Sequence, residues 1–137
     1  MVYRSINDDL RFEVNDIEFK MPKPSYTIDT ISYLKEKHPQ KEFVLIMGAD
    51  NLKSFYKWKN AELLEQSIER LVYPRHGFEK EDFINQKNLT FIDAPKIEIS
   101  SSFIRDAIKS GKSVQYFLHP EVFRYIDEMN LYKVGGD

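Results

Sequence analysis

Residues 43–51 read Phe-Val-Leu-Ile-Met-Gly-Ala-Asp-Asn. Five apolar residues in a row, with no polar alternation, suit a central parallel strand covered on both faces. Gly48-Ala49-Asp50-Asn51 then makes the turn at its carboxyl end. Downstream, a helix is predicted around residues 61–66 and a short strand over 70–73. A polar surface loop or short helix follows over 79–87, then a strand over 89–93. Upstream, Ser25 or Thr27 can cap a helix that buries Ile28, Ile31 and Leu34 and ends before Pro39. Strands alternating with helices imply an α/β fold with a parallel sheet. In such sheets ligands lie beyond the carboxyl ends of the strands.

The outer segments are read the same way. Residues 1–8 resemble a helix end, with Val2 and Ile6 four apart and Asn7-Asp8-Asp9 closing it. Residues 12–20 alternate in part (Phe12, Val14, Ile17, Phe19) and predict a strand interrupted near Asn15-Asp16, followed by a rigid Pro22-Lys23-Pro24 loop. Ile104, Ala107 and Ile108 share a helix face that Gly111 terminates. Pro120 opens a last helix whose core side is Val122, Tyr125, Ile126 and Met129. No repeat or low-complexity linker divides the chain, so residues 1–137 are taken as one domain, with 134–137 a disordered tail.

Bulk properties narrow the function classes. The chain has 137 residues, enough for one buried core, with 42% hydrophobic and 31% charged residues, as in ordinary globular proteins. The net charge is -2 and no stretch gathers Lys and Arg into a basic stripe, which argues against nucleic acid as a partner. There is no cysteine, which removes thiolate nucleophiles and Cys-ligated zinc together. The run at 43–47 is far short of the roughly 20 apolar residues of a membrane span. No membrane partner is expected, and a cytoplasmic location is the default.

Four segments can carry chemistry. Ile99-Ser100-Ser101-Ser102-Phe103-Ile104-Arg105 lies at a predicted strand-to-helix junction. Its hydroxyls and free backbone N–H groups face the positive end of a helix, which favours an anion. Arg105, one turn in, tilts back toward them and can grip a phosphate in two-pronged fashion. A plain helix cap with a surface arginine fits the same residues. Pro24-Ser25-Tyr26-Thr27-Ile28-Asp29-Thr30 likewise feeds a helix start, either as donors for an anion or simply as a cap. Trp58, the one tryptophan, lies between Lys57 and Lys59, where a flat ring beside cations suits stacking on an anionic aromatic base. It equally suits partial cover of the core. Arg75, in Val72-Tyr73-Pro74-Arg75-His76-Gly77, reads as a phosphate contact or as a solvated loop residue. His38, His76 and His119 show no metal-ligand spacing, and no GxGxxG, P-loop or GxSxG occurs.

The segment from Ile99 to Arg105 resembles the ISxTxxR signature of the adenylyl- and cytidylyltransferase superfamily, with Ser102 where threonine is usual. PSYTIDT at residues 24–30 and GADNLKSFYKWKN at 48–60 resemble motifs of its bacterial nicotinate-nucleotide adenylyltransferase branch. VYPRHG at 72–77 resembles the VxxRxG turn. The resemblance implies a Rossmann-like sheet and adenylyl transfer from ATP, with Mg²⁺, to nicotinate mononucleotide in NAD biosynthesis. It implies that Ser100, Ser102, Arg105 and Arg75 hold the ATP phosphates. Tyr26, Thr27, Asp50, Trp58 and Lys59 would hold the nicotinate nucleotide. No residue is implied as a covalent nucleophile or as a metal ligand. The SYTxDT and KWKN blocks favour this branch over pantetheine-phosphate or nicotinamide-nucleotide transferases.

The superfamily's GxFxPxHxGH motif has no counterpart among these residues. Its histidines stabilise the charge of the transfer. The expectation is a chain lacking the first strand-helix-strand unit of the fold, with impaired turnover, a surviving nicotinate pocket and an exposed sheet edge prone to self-association. A non-catalytic ligand-binding or oligomerising fragment is the alternative.

Overall fold

The computed structural model describes residues 1–6, 9–78, 80–83 and 85–133. In chain order its helices are α1 (Val2–Ile6), α2 (Ile17–Lys20), α3 (Thr27–Lys37), α4 (Ala49–Leu52), α5 (Ala61–Ser67), α6 (Ser101–Lys109) and α7 (Pro120–Glu128). Its strands are β1 (Val44–Gly48), β2 (Glu69–Tyr73) and β3 (Leu89–Phe91). Two compact units emerge: Asp16–Glu98, and Met1–Asn15 together with Ile99–Asp137.

In the first unit the three strands form a parallel sheet in the order β1-β2-β3, with Val44 opposite Glu69 and Arg70 opposite Leu89. The α/β architecture follows the expected alternation. Its core gathers Ile28 and Ile31 from α3, Met47 from β1, Leu52 from α4, Leu64 from α5, and Phe55, Ile68 and Val72. The run at 43–47 does give a strand, but not one covered on both faces. Val44 is 42% and Ile46 71% exposed, because among the described residues β1 pairs with β2 alone and alternate side chains face an uncovered side. The strand in the middle is β2, where Arg70 and Val72 are fully buried. Asp50 therefore follows the edge strand and not the most buried one.

Other local expectations need correction. No strand forms over residues 12–20. Phe12 and Val14 are exposed, only Ile17 is buried, and α2 replaces the second half of the predicted strand. An i,i+4 pair between Lys20 Nζ and Asp16 Oδ1, at 2.9 Å, favours that helical turn. The Lys20 hydrogen bond also holds the Asp16 carboxyl below its usual range. Neither Ser25 nor Thr27 caps α3 through its side chain. Tyr26 takes the cap position and Thr27 is the first helical residue. Strand β3 stops at Phe91, short of Asp93, and residues 92–100 have no regular structure, so α6 does not follow a strand directly. Lys80–Phe83 forms a short 3-10 turn within the polar stretch. Asn7, Asp8, Glu79, Ile84 and residues 134–137 lie outside the described residues.

The second unit is helical. α1 packs on α7, with the Arg4 guanidinium 4.7 Å over the Tyr125 ring. Gly111 (φ 70°) ends the α6 turn as expected, its N–H donating to Ile108 O. At α7, the His119 ring Nδ1 accepts from the Glu121 N–H at 3.3 Å, and Pro120 occupies the first turn. Ile104, Val114 and Ile126 are buried. Met129 is not part of the core: it lies past Glu128, the last helical residue of α7, and is 56% exposed. Among the described residues no helix is long and apolar enough to cross a membrane.

Candidate functional site

Tyr26, at the start of α3, and Lys59, in the 48–60 segment, come together. Tyr26 has extended backbone (φ -118°, ψ 143°), and its carbonyl accepts from the N–H groups of Asp29 and Thr30. No side chain caps the helix, so first-turn donors stay available at its positive end. Thirty residues on, Lys59 Nζ donates to Asp29 Oδ2 at 2.8 Å and lies 4.7 Å over the Tyr26 ring. Tyr26, Thr27 and Lys59 are thus neighbours. Asp29, which is not among the candidate residues above, joins them.

Trp58 belongs to the same segment. A 3-10 turn over Phe55–Lys57 buries Phe55 completely, and the Trp58 ring packs on it at a 5.6 Å centroid distance and a 47° tilt. The ring is half-buried against the core. The reading as partial cover of the core therefore holds, and part of the ring stays exposed. Asn60 in the left-handed region (φ 50°) then turns the chain into α5.

At the carboxyl ends of β1 and β2 the structure joins two residues that the sequence assigned to different ligands. Arg75 Nε lies 3.7 Å from Asp50 Oδ1, and Arg75 Nη1 donates to Ile97 O at 3.4 Å. Arg75 is therefore not a free loop cation. Gly48 makes this approach feasible, since a Cβ there would lie 2.4 Å from Asp50 Oδ1 and 3.4 Å from Arg75 Nε. Gly48→Ala is expected to rotate the Asp50 carboxylate off Arg75 at a stability cost of about 1 kcal/mol or less. A denaturant melt and the Arg75 Nε–H resonance check both parts. Unchanged Arg75 chemical shifts would show that the carboxylate had not moved.

In the helical unit, Ser100 caps α6. Its Oγ accepts from the Phe103 N–H at 3.1 Å, while its O–H remains free to donate. Arg105 Nη2 donates to Ser102 Oγ at 3.3 Å, so the arginine does lean back over the helix start. The cap reading and the anion reading share one geometry. As a cap, Ser100→Ala is expected to cost about 1 kcal/mol, measured by urea unfolding. Among the described residues no three His, Cys, Asp or Glu side chains cluster as metal ligands.

The profile of the cytidylyltransferase-like family matches residues 1–107. A Flavobacterium johnsoniae protein named "Probable nicotinate-nucleotide adenylyltransferase" is 48% identical over 135 residues, covering 97% of this chain and 70% of that protein. A Christiangramia forsetii protein of the same name is 46% identical over the same coverage. Among solved structures, a Plasmodium falciparum nicotinic acid mononucleotide adenylyltransferase complexed with NaAD superposes with a TM-score of 0.68 at 26% identity. That likeness covers 79% of this chain and 57% of the other. The same enzyme complexed with APC gives a TM-score of 0.70 at 25% identity, covering 81% and 60%.

Proposed function

The chain belongs to the cytidylyltransferase-like family, and on that premise we propose that it serves adenylyl transfer from ATP to nicotinate mononucleotide, which yields nicotinate adenine dinucleotide and pyrophosphate in NAD biosynthesis. The observation that carries the reading is the contact of Lys59, the residue after Trp58, with the Tyr26 ring. A cation held over an aromatic ring suits a pyridine that bears a carboxylate. The relatives' names and the NaAD complex of the structural neighbour support the same substrate. The chain spans 70% of those curated relatives and 57–60% of the solved neighbours.

In this reading the nicotinate ring stacks on Trp58, with Tyr26, Thr27 and Lys59 around its carboxylate and Asp50 toward the ribose. Ser100, Ser102, Arg105 and Arg75 take the triphosphate. The nucleotide's phosphate attacks the α-phosphorus of ATP in line and pyrophosphate leaves, so no side chain forms a covalent bond. Mg²⁺ enters with ATP as part of the substrate, balancing charge on the phosphates. Opening the Asp50–Arg75 contact would free a cation for phosphate and a carboxylate for a ribose hydroxyl. The reading places the protein in the cytoplasm. The exposed Val44 and Ile46 on β1 support self-association, which sedimentation measures.

Calorimetry of nicotinate mononucleotide binding, paired with a pyrophosphate-release assay in the presence of ATP, tests this reading. Micromolar to millimolar binding with pyrophosphate release supports the whole proposal. Binding without release would assign this chain the ligand-binding part alone. Absence of binding would sink the reading.

A further inference from the structure

We propose that Asp29 is a positioning residue that tempers charge selection: an internal counter-ion that an anionic ring substituent must displace from Lys59, so that Lys59 sorts ring ligands by charge and Asp29 limits the preference. This rests on the reading of the Tyr26–Lys59 cluster as the nicotinate site.

Three features of the cluster lead there. Asp29 Oδ2 and Lys59 Nζ are 2.8 Å apart, yet their side chains are 40% and 43% exposed. Ion pairs with this exposure hold each other only weakly, so another carboxylate can replace the partner easily. The ammonium does not depend on Asp29 alone. It also lies 4.7 Å over the Tyr26 ring, whose negative face keeps it in place when the carboxylate leaves. Finally, Asp29 is in the first turn of α3, where the helix's positive end stabilises a carboxylate whether or not Lys59 is bound to it. A released Asp29 is therefore not stranded.

The consequence is discrimination between a ring carrying a carboxylate and one carrying a neutral carboxamide. The anionic ring gains a charge-assisted bond to an ammonium that is already aimed and has three donors. The neutral ring cannot compete for Lys59 and finds its charge already cancelled. While it is present, Asp29 lowers the affinity for the anionic ring by occupying the cation.

Titrating nicotinate mononucleotide and nicotinamide mononucleotide separately into the full chain, into Asp29→Asn and into Lys59→Met tests the proposal, with the ratio of the two affinities as the readout. Both ligands carry the same phosphate, so a change felt through the phosphate moves both and leaves the ratio fixed. Asp29→Asn is expected to raise the preference for the nicotinate form about three- to tenfold, the size of one partly screened charge interaction. Lys59→Met is expected to abolish the preference. A ratio in Asp29→Asn that is unchanged or reduced overturns the counter-ion role while leaving the site reading intact. A parental chain that binds neither nucleotide overturns the site reading and this proposal together.

Discussion

Replacing Glu65 by alanine is expected to destabilise the chain by about 3–5 kcal/mol, the cost of leaving a buried charge without its partner. Arg70 is wholly buried in the middle strand β2. Its Nη2 donates to Glu65 Oε1 at 2.9 Å and to Lys87 O at 2.5 Å, and its Nη1 donates to Gln86 Oε1 at 3.0 Å. The guanidinium stacks 4.1 Å over Phe55, and Nε has no hydrogen-bond partner. Glu65 does more than neutralise it. Glu65 Oε1 also accepts from the Lys87 N–H at 3.0 Å, and the Glu65 main-chain oxygen accepts from Asn88 Nδ2 at 2.9 Å. Removing the carboxylate therefore strands a cation inside the sheet and loosens the turn that leads into β3. Arg70→Met is expected to cost less, because Glu65, with its side chain 13% exposed, can regain water and the methionine fills the same space. The Glu65→Ala/Arg70→Met pair should then recover part of the single-mutant loss. Urea unfolding of the three variants settles the order; a Glu65→Ala midpoint close to the parent's would show that Arg70 is not charged and confined as described. Since Phe55 lies between Arg70 and Trp58, the same variant should also weaken any ligand stacked on Trp58.

The elements legible in the sequence are those whose signal is local. The periodicity of Ile28 and Ile31, the apolar run at 44–47, the glycine at 111 and the proline at 120 each report a constraint within a few residues, and each gave an element of the expected type. Several failures share a cause: the deciding contact is distant. Phe12 and Val14, then Ile17 and Phe19, alternate in part as a strand should, but a strand also needs a neighbour to pair with, and none forms there among the described residues. The run at 43–47 predicts cover on two faces, yet cover depends on elements elsewhere, and Ile46 is left open. In the sequence Arg70 marks no more than the start of the strand over 70–73. Only its partners at 65, 86 and 87 make it a core residue. At the candidate site, motif resemblance supplied Tyr26 and Lys59, but Asp29 acquires its role through a partner thirty residues away. Asp50 and Arg75, far apart in sequence, meet only because parallel pairing puts Gly48 opposite Tyr73 and brings the two carboxyl ends side by side.

Replacing Arg105 by alanine is expected to weaken ATP binding about 10- to 100-fold, while nicotinate mononucleotide binding and stability change little. Hydrogen bonds from a cation to a charged partner contribute about 1.5–3 kcal/mol each, and a guanidinium can offer two in parallel to one phosphate. Against this, what Arg105 contributes to the folded chain is small: among the described residues, a single 3.3 Å bond to the exposed Ser102 hydroxyl. The two roles therefore separate by magnitude. A residue that merely covers the helix start would, on truncation, shift the unfolding midpoint slightly and leave ATP affinity alone. A phosphate ligand would do the reverse. Arg105→Lys refines the comparison, because lysine keeps the charge but not the planar fork. If two-pronged contact matters, lysine should recover only part of the loss; if charge alone matters, it should recover nearly all of it. Ser100→Ala provides the opposite control, since its Oγ is already engaged as the cap of α6. Its expected signature is a stability loss of about 1 kcal/mol, accompanied by a smaller loss of ATP affinity than Arg105→Ala produces. Calorimetric titration of the three variants with Mg-ATP, alongside urea unfolding, measures both quantities. Equal ATP affinity in the parent and in Arg105→Ala would leave the helix start as a cap and no more.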